Sequence, residues 1–231
     1  MPGEKPSAVV IQLGKRRLEG WAAMAILLVI VALLAGWIVS RQPYRDNPAM
    51  WISAAGWILF TIYWSAAAKN ASKAQRSESA KSRRVHQLLL NGGLLLLFVA
   101  LPGLRWRFLP QQAALPPAGL AMQAAFAALG VWARRHLGKH WSGEITIKVD
   151  HQLIRSGPYR LLRHPIYTAI LGMYAGTALV SGQGHALVGT ALAGVAYARK
   201  IRLEEANLRE AFGDEYEQYR RKSWALVPFV Y

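Results

Sequence analysis

The chain has 231 residues, 53% of them hydrophobic, with nine Trp, no Cys and a formal net charge of +16. With a mean hydropathy of +0.16, that apolar content exceeds what a small water-soluble core needs and marks an integral membrane protein. Lack of Cys excludes disulfides, thiolate catalysis and Cys-based metal sites, and the basic residues fall between apolar runs, so the expected partners are membrane lipids with anionic headgroups and no nucleic acid.

Runs free of Asp, Glu, Lys and Arg cover residues 21–40, 47–68, 85–104 and 108–133. Each is near or above the roughly 20 residues that cross a bilayer as helix, which predicts four spanning helices. The first follows Lys15-Arg16-Arg17 like the charged start of a signal peptide. Its apolar part is too long for one, and no small-residue cleavage site precedes Arg41, so it reads as a retained anchor. Residues 69–84, rich in Lys, Arg, Ser and Ala, read as a solvated linker, and residues 144–149 alternate briefly like a strand.

The fifth uncharged run, residues 165–198, has 34 residues and would be about 51 Å long as one helix, well beyond a ~30 Å hydrocarbon core. It must bend back. Ser181-Gly182-Gln183-Gly184-His185 in its middle is rich in turn formers, so the run is expected to form a helical hairpin of two short arms with both ends on one face. Beyond it, Leu208, Phe212, Tyr216 and Tyr219 recur at helical spacing, an amphipathic helix that packs on the body or lies on the membrane surface.

The distribution of Lys and Arg orients this arrangement. Residues 1–20 carry four, 69–84 six, 134–164 seven and 199–231 seven, leaving only Arg41, Arg45, Arg105 and Arg107 of the 28 elsewhere. By the positive-inside rule, both termini and the 134–164 segment are cytoplasmic. The block His151 to Tyr167 and the pair Glu204-Glu205 then share one side of the membrane.

In Arg163-His164-Pro165, proline favours the first helical position and pushes His164 toward extended geometry as the cap. The start of the helix, with free N–H groups and partial positive charge, suits an anionic ligand group, with the His164 imidazole and Tyr167 hydroxyl beside it. An ordinary helix cap anchored at the interface by His and Tyr meets the same pattern. Gly157-Pro158-Tyr159 reads as a tight turn aiming an aromatic ring, suited to a flat heterocycle or a cation, or to plain interfacial packing. Adjacent acids on a helix point about 100° apart, so at most one of Glu204 and Glu205 faces a given pocket. Glu204 either makes a solvated ion pair or holds a ligand's ammonium group.

The string H-x-L-I-x-S-G-P-Y-x-x-x-R-H-P-x-Y from His151 to Tyr167, the hairpin-length apolar run, Glu204-Glu205, and Phe212-Gly213-Asp214-Glu215-Tyr216-x-x-Tyr219 with Pro228 near the end resemble the isoprenylcysteine carboxyl methyltransferase family and the related phospholipid methyltransferases. The resemblance covers residues 139–231. It implies an all-α integral membrane enzyme with four spanning helices, a C-terminal hairpin and a cytoplasmic pocket for S-adenosylmethionine. Residues 1–133 would form the N-terminal membrane region, and 134–231 the catalytic one. Carried over position by position, cofactor contacts fall on His151, Gln152, Leu153, Ile154, Tyr159, His164, Pro165, Ile166, Tyr167 and Glu204. Lys200 stands where the family's isoprenylcysteine enzymes carry a substrate arginine, and lysine, a point charge, does not make arginine's bidentate carboxylate clamp.

The implied activity is methyl transfer to a lipophilic acceptor at the membrane interface, either the carboxylate of a prenylcysteine-like compound or a lipid headgroup, with O- favoured over N-methylation. A sulfonium methyl is already activated, so the enzyme must mainly align the nucleophile and exclude water; no metal or dedicated strong base is demanded. No Gly-rich strand-to-helix turn supports a soluble Rossmann-type methyltransferase. Two other readings meet the same sequence: a non-catalytic lipid-binding scaffold, and a membrane oxidoreductase like the sterol reductases, which resemble this family in their final helices.

Overall fold

The computed structural model describes residues 11–13, 16–18, 46–68, 76–77, 79–138, 146–147 and 153–228. The expected first span at 21–40, and His151 and Gln152, lie outside the described residues. The chain divides into two units, Met1–Arg45 and Asp46–Tyr231. In the first, strands β1 (Ile11–Leu13) and β2 (Arg16–Leu18) pair antiparallel.

Among its described residues the second unit is helical apart from two two-residue strands. It comprises α1 (Pro48–Ala68), β3 (Arg76–Ser77), α2 (Ala80–Phe98), α3 (Leu115–Leu137), β4 (Thr146–Ile147), α4 (Pro165–Ser181) and α5 (Gly184–Arg221). The strand expected within 144–149 is β4, and it pairs antiparallel with β3 inside the stretch read as a linker. That linker is shorter than expected: the Ser79 hydroxyl accepts the N–H of Ser82 at 3.3 Å, capping α2 so that Lys81, Arg83 and Arg84 enter its first turns.

Helices α1 and α3 are long and apolar enough to cross a membrane, and α4 is a shorter apolar helix. Their sidedness is that of a lipid-embedded protein. Along α1 the apolar Ile52, Ile58, Leu59 and Ile62 point outward, each at least 58% exposed, while the hydroxyl of Ser53 is fully buried 3.0 Å from that of Thr177 on α4. Thr177 also accepts the indole N–H of Trp57 at 3.0 Å, and Gln123 of α3 donates to the Ser53 carbonyl at 2.9 Å. Polar groups joining helices inside and aliphatic groups outside is the arrangement hydrocarbon favours.

Two glycine crossings bring the helices close. A Cβ on Gly119 of α3 would lie 2.5 Å from the Gly176 carbonyl of α4, and one on Gly93 of α2 would lie 2.6 Å from the Gly189 carbonyl of α5. Among lipids there is little hydrophobic drive for helices to associate, so backbone contact through small residues carries the packing.

The uncharged run bends where expected. Gly182 adopts a left-handed φ of 63° and its N–H caps the Ala178 carbonyl of α4 at 2.8 Å; Gln183 then starts α5. Only glycine adopts that φ without penalty. The run expected to span 108–133 is shifted: α3 begins at Leu115, because Pro116 and Pro117 belong in a first turn, where a missing N–H costs nothing. Residues before it instead cap the hairpin tip, Phe108 N–H donating to Gly182 O at 3.1 Å and Gly184 N–H to Trp106 O at 2.7 Å. The helix expected over 85–104 likewise ends at Phe98.

The second hairpin arm continues directly into the amphipathic helix expected beyond it. It runs on as α5 for 38 residues, about 57 Å, with a break at Gly213 (φ 49°, ψ −124°). Beyond the break Tyr216 and Tyr219 are buried, so the final turns pack on the body. Both hairpin ends reach one end of the unit, where Arg134 of α3 donates to Ala67 O at 2.5 Å and Arg199 of α5 to Ser82 O at 3.2 Å. The end of α1, the start of α2, the end of α3 and the middle of α5 therefore converge there.

Candidate functional site

The candidate site lies at that end, where the start of α4 meets the middle of α5. Before α4, Ser156 to Leu161 form a tight turn with Gly157 at φ 58°. A side chain on Gly157 would lie 2.7 Å from the His136 ring, which bonds the Ser156 hydroxyl at 2.9 Å and stacks on Tyr159 with ring centroids 6.4 Å apart. Tyr159 is buried against Ala133 and Ile166, with Ile154 packed on the same cluster. Burial raises its phenol pKa well above the ordinary value, and the Glu204 charge raises it further. It is a neutral ring in the wall of the site.

His164 caps α4 with φ −126° and ψ 57°, not the extended geometry expected, because backbone from beyond α5 is seated on it. Arg163 N–H donates to Trp224 O at 2.8 Å, His164 N–H to Ala225 O at 3.1 Å and Trp224 N–H to Leu161 O at 3.0 Å. The Thr168 hydroxyl donates to Leu226 O at 2.7 Å. Residues 223–226 form a strap across the start of α4, which is therefore not the open anion-binding end the sequence suggests.

The two adjacent acids divide this space. Glu205 is 7% exposed; its Oε1 accepts Arg163 Nε at 2.8 Å and lies 3.3 Å from His164 Nε2. Arg209 stands 3.6 Å from its other oxygen. Burial alone would push the Glu205 carboxyl up, but the hydrogen bonds and charges of His164 and Arg163 together outweigh that and hold it at about 2. Glu204 keeps 32% of its side chain exposed, with Oε2 3.9 Å from His164 Nδ1. It accepts the Tyr167 hydroxyl at 2.6 Å. The two carboxylates reach opposite nitrogens of one imidazole, although helix geometry predicts that only one acid faces a given pocket. The ring is wide enough to bridge the 100° between them.

Aromatic rings line the other side. His164 stacks on Tyr167 at 5.3 Å and 5°, Tyr167 on Tyr197 at 4.7 Å, and Tyr197 meets His86 edge-on at 5.5 Å. Lys200 Nζ lies 5.6 Å from the centre of the Tyr167 ring, so the residue standing for the family arginine borders the same ring.

The structure thus brings together Tyr159, His164, Tyr167, Lys200 and Glu204. Pro165 and Ile166 are buried in helix packing, Ile154 packs half-buried on the Tyr159 cluster, and Leu153 is half-buried before the turn. Sequence reasoning gave no site role to Arg163, Glu205, Tyr216 or Tyr219, and did not foresee the strap. The Tyr219 hydroxyl donates to Tyr159 O at 2.6 Å, tying the turn to α5; burial pushes its pKa up to about 12. Tyr216 is fully buried with its hydroxyl toward Glu205, and burial, then the Glu205 charge, raise its pKa. Arg163 was in plain view beside His164; its partner 42 residues away was not.

The donor set fits S-adenosylmethionine in chemistry. A carboxylate has about four acceptor positions, and Glu204, partly exposed, retains acceptors for an ammonium or a hydroxyl. The stacked rings beside it suit a flat heterocycle or a cation.

Comparison with known proteins places residues 119–210 on the profile of the isoprenylcysteine carboxyl methyltransferase family. A probable protein-S-isoprenylcysteine O-methyltransferase of Oryza sativa subsp. indica is 37% identical over 82 residues, 35% of this chain and 43% of that protein. Methanethiol S-methyltransferase 1 of Bradyrhizobium diazoefficiens is 35% identical over 72 residues, 31% of this chain and 24% of that protein. The matched stretch thus spans less than half of either relative. The solved structure of the eukaryotic intramembrane Ras methyltransferase, isoprenylcysteine carboxyl methyltransferase, without a monobody, aligns with a TM-score of 0.45 at 21% identity, over 68% of this chain and 55% of that one.

Proposed function

Residues 119–210 belong to the isoprenylcysteine carboxyl methyltransferase family, and on that premise we propose that this chain is a membrane methyltransferase using S-adenosylmethionine, with residues 134–231 as its catalytic region. The reading is carried by one observation: Glu204, 37 residues beyond Tyr167, meets it and His164 at the rim of apolar helices inside the family-matched stretch. Its site faces the cytosol, the side to which the Lys and Arg distribution assigns the 134–164 segment and both termini.

Glu204, His164 and Tyr167 would hold the cofactor, with Tyr159 walling the pocket. When bound, the cofactor supplies an electrophilic methyl on a sulfonium, whose S–C electron pair returns to sulfur as the new bond forms. The chain's own task is alignment and water exclusion. The Tyr167 hydroxyl holds the Glu204 carboxylate in one orientation, the stacked rings keep water from one face, and Lys200 attracts an anionic acceptor entering sideways from the bilayer. A carboxylate acceptor has no proton to lose, so this set needs no base, which favours O- over N-methylation. The acceptor is lipophilic, a prenylcysteine-like carboxylate before a lipid headgroup.

Calorimetry of the purified protein with S-adenosylhomocysteine tests the reading. Binding by the wild type, abolished in Glu204→Ala and His164→Ala, is expected; no wild-type binding sinks the methyltransferase reading, and unchanged affinity in the variants sinks the site. Label from methyl-labelled cofactor should enter a base-labile ester in membranes, whereas a base-stable product would overturn carboxyl methylation.

A further inference from the structure

We infer that Glu205, the second of the adjacent acids, is a positioning residue that acts with Arg163 to lock the C-terminal strap onto His164, leaving Glu204 to face the ligand. The inference rests on the methyltransferase reading for what the ligand is, but its structural content does not.

The geometry is a closed circuit. The Arg163 side chain, 10% exposed, spends Nε on Glu205 and directs Nη1 to two backbone carbonyls past the Gly213 break, Arg220 O at 3.2 Å and Ser223 O. Ser223 is itself held by its hydroxyl, which donates to Tyr219 O at 2.7 Å. Glu205 passes the restraint to the His164 ring. The same arginine's N–H and the next one are bonded to the strap at Trp224 and Ala225. One side chain therefore ties together the α4 start, the middle of α5 and the segment after α5. Lysine, with a single point of charge, would not serve all three partners.

A buried carboxylate so fully used has little left for a ligand, whereas its neighbour, turned outward, has acceptors to spare. The buried hydroxyl of Tyr216, fully enclosed and influenced by the Glu205 charge, lies on the same side of α5. Groups facing Glu205 are thus Arg163 and His164 from the α4 side, and Arg209 and Tyr216 from α5. Removing its charge should loosen the strap and misplace the imidazole without removing any group that touches the ligand.

The test compares Glu205→Gln, Arg163→Lys and Glu204→Gln with wild type in detergent. Hydrogen exchange needs no ligand: the amides of Arg163, His164 and Trp224 should exchange about tenfold faster in the first two variants and unchanged in Glu204→Gln. Calorimetry with S-adenosylhomocysteine supplies the second arm. A positioning role raises Kd about tenfold at full stoichiometry in Glu205→Gln; a residue that only stabilises the fold would lower the bound fraction and leave Kd unchanged, overturning the inference. Wild-type exchange rates in Glu205→Gln, or equal acceleration in Glu204→Gln, would also overturn it. Should the wild type bind no S-adenosylhomocysteine, the methyltransferase reading fails and the exchange arm alone decides this one.

Discussion

Acid should weaken the wild type more than its Glu205→Gln variant, by an amount set by the circuit around Glu205. The free carboxyl titrates at 4.5 and the folded one at about 2, so ionisation of Glu205 contributes about 3 kcal/mol when both states are ionised. Because the folded pKa is the lower one, that contribution is complete above about 4.5 and disappears as pH falls toward 2. By pH 3 about 2 kcal/mol has gone. Glutamine does not titrate, and both proteins carry the same Arg163, His164, Arg209 and Tyr216, so their difference isolates this group. At ~2–4 °C per kcal/mol for a chain of this size, the Tm gap between wild type and variant should shrink by about 4–8 °C between pH 5.5 and pH 3. The nine Trp residues report thermal unfolding in detergent by intrinsic fluorescence. A gap that stays constant over that range would show that Glu205 is not held ionised by Arg163 and His164.

Three further outcomes follow from single contacts. Tyr167→Phe removes the 2.6 Å hydrogen bond to Glu204; a bond to a charged group is worth about 1.5–3 kcal/mol of stability, so the Tm should fall by several degrees, and calorimetry should find S-adenosylhomocysteine binding about tenfold weaker. Lys200→Ala should leave that affinity within about twofold and raise the KM of an anionic acceptor about tenfold, measured by methyl transfer in membranes. Gly93→Val places a branched side chain against the Gly189 carbonyl, which a Cβ alone would approach to 2.6 Å. Overpacking of this kind costs about 1–3 kcal/mol, and a Tm lower by several degrees in detergent should report it.

Much of the fold is legible because its signals are local. A 34-residue uncharged run is too long for one crossing whatever surrounds it, and Gly182 is the residue that turns it. Other boundaries were missed for equally local reasons: Pro116 and Pro117 delay α3, and Ser79 starts α2 inside a charged stretch that composition alone reads as linker. The second arm runs on past the apolar run because charge marks the edge of that run, not the end of the helix; α5 continues through Arg199, Lys200 and Arg202 into the stretch where Leu208, Phe212, Tyr216 and Tyr219 recur at helical spacing.

The site divides along the same line. His164, Tyr167 and Glu204 were recognisable by type and order, and the charge distribution predicts one side for all three. Which acid is buried was not recognisable, since Glu204 and Glu205 are the same residue type at adjacent positions. Only the rotation of α5 against α4 turns one toward Arg163 and the other toward the open side. The strap was equally invisible: residues 223–226 carry no motif, and they are held through backbone carbonyls that every sequence possesses.

By itself, then, the amino-acid order determined an apolar chain that must fold back on itself and bring two polar clusters together at one end of its helices, because length, charge and proline act along the chain. The division of labour between the two acids, the covering of the α4 start and the closing of the Arg163 circuit were decided by tertiary structure. Each depends on distances between groups some 40 to 60 residues apart, and those are set by how the helices pack.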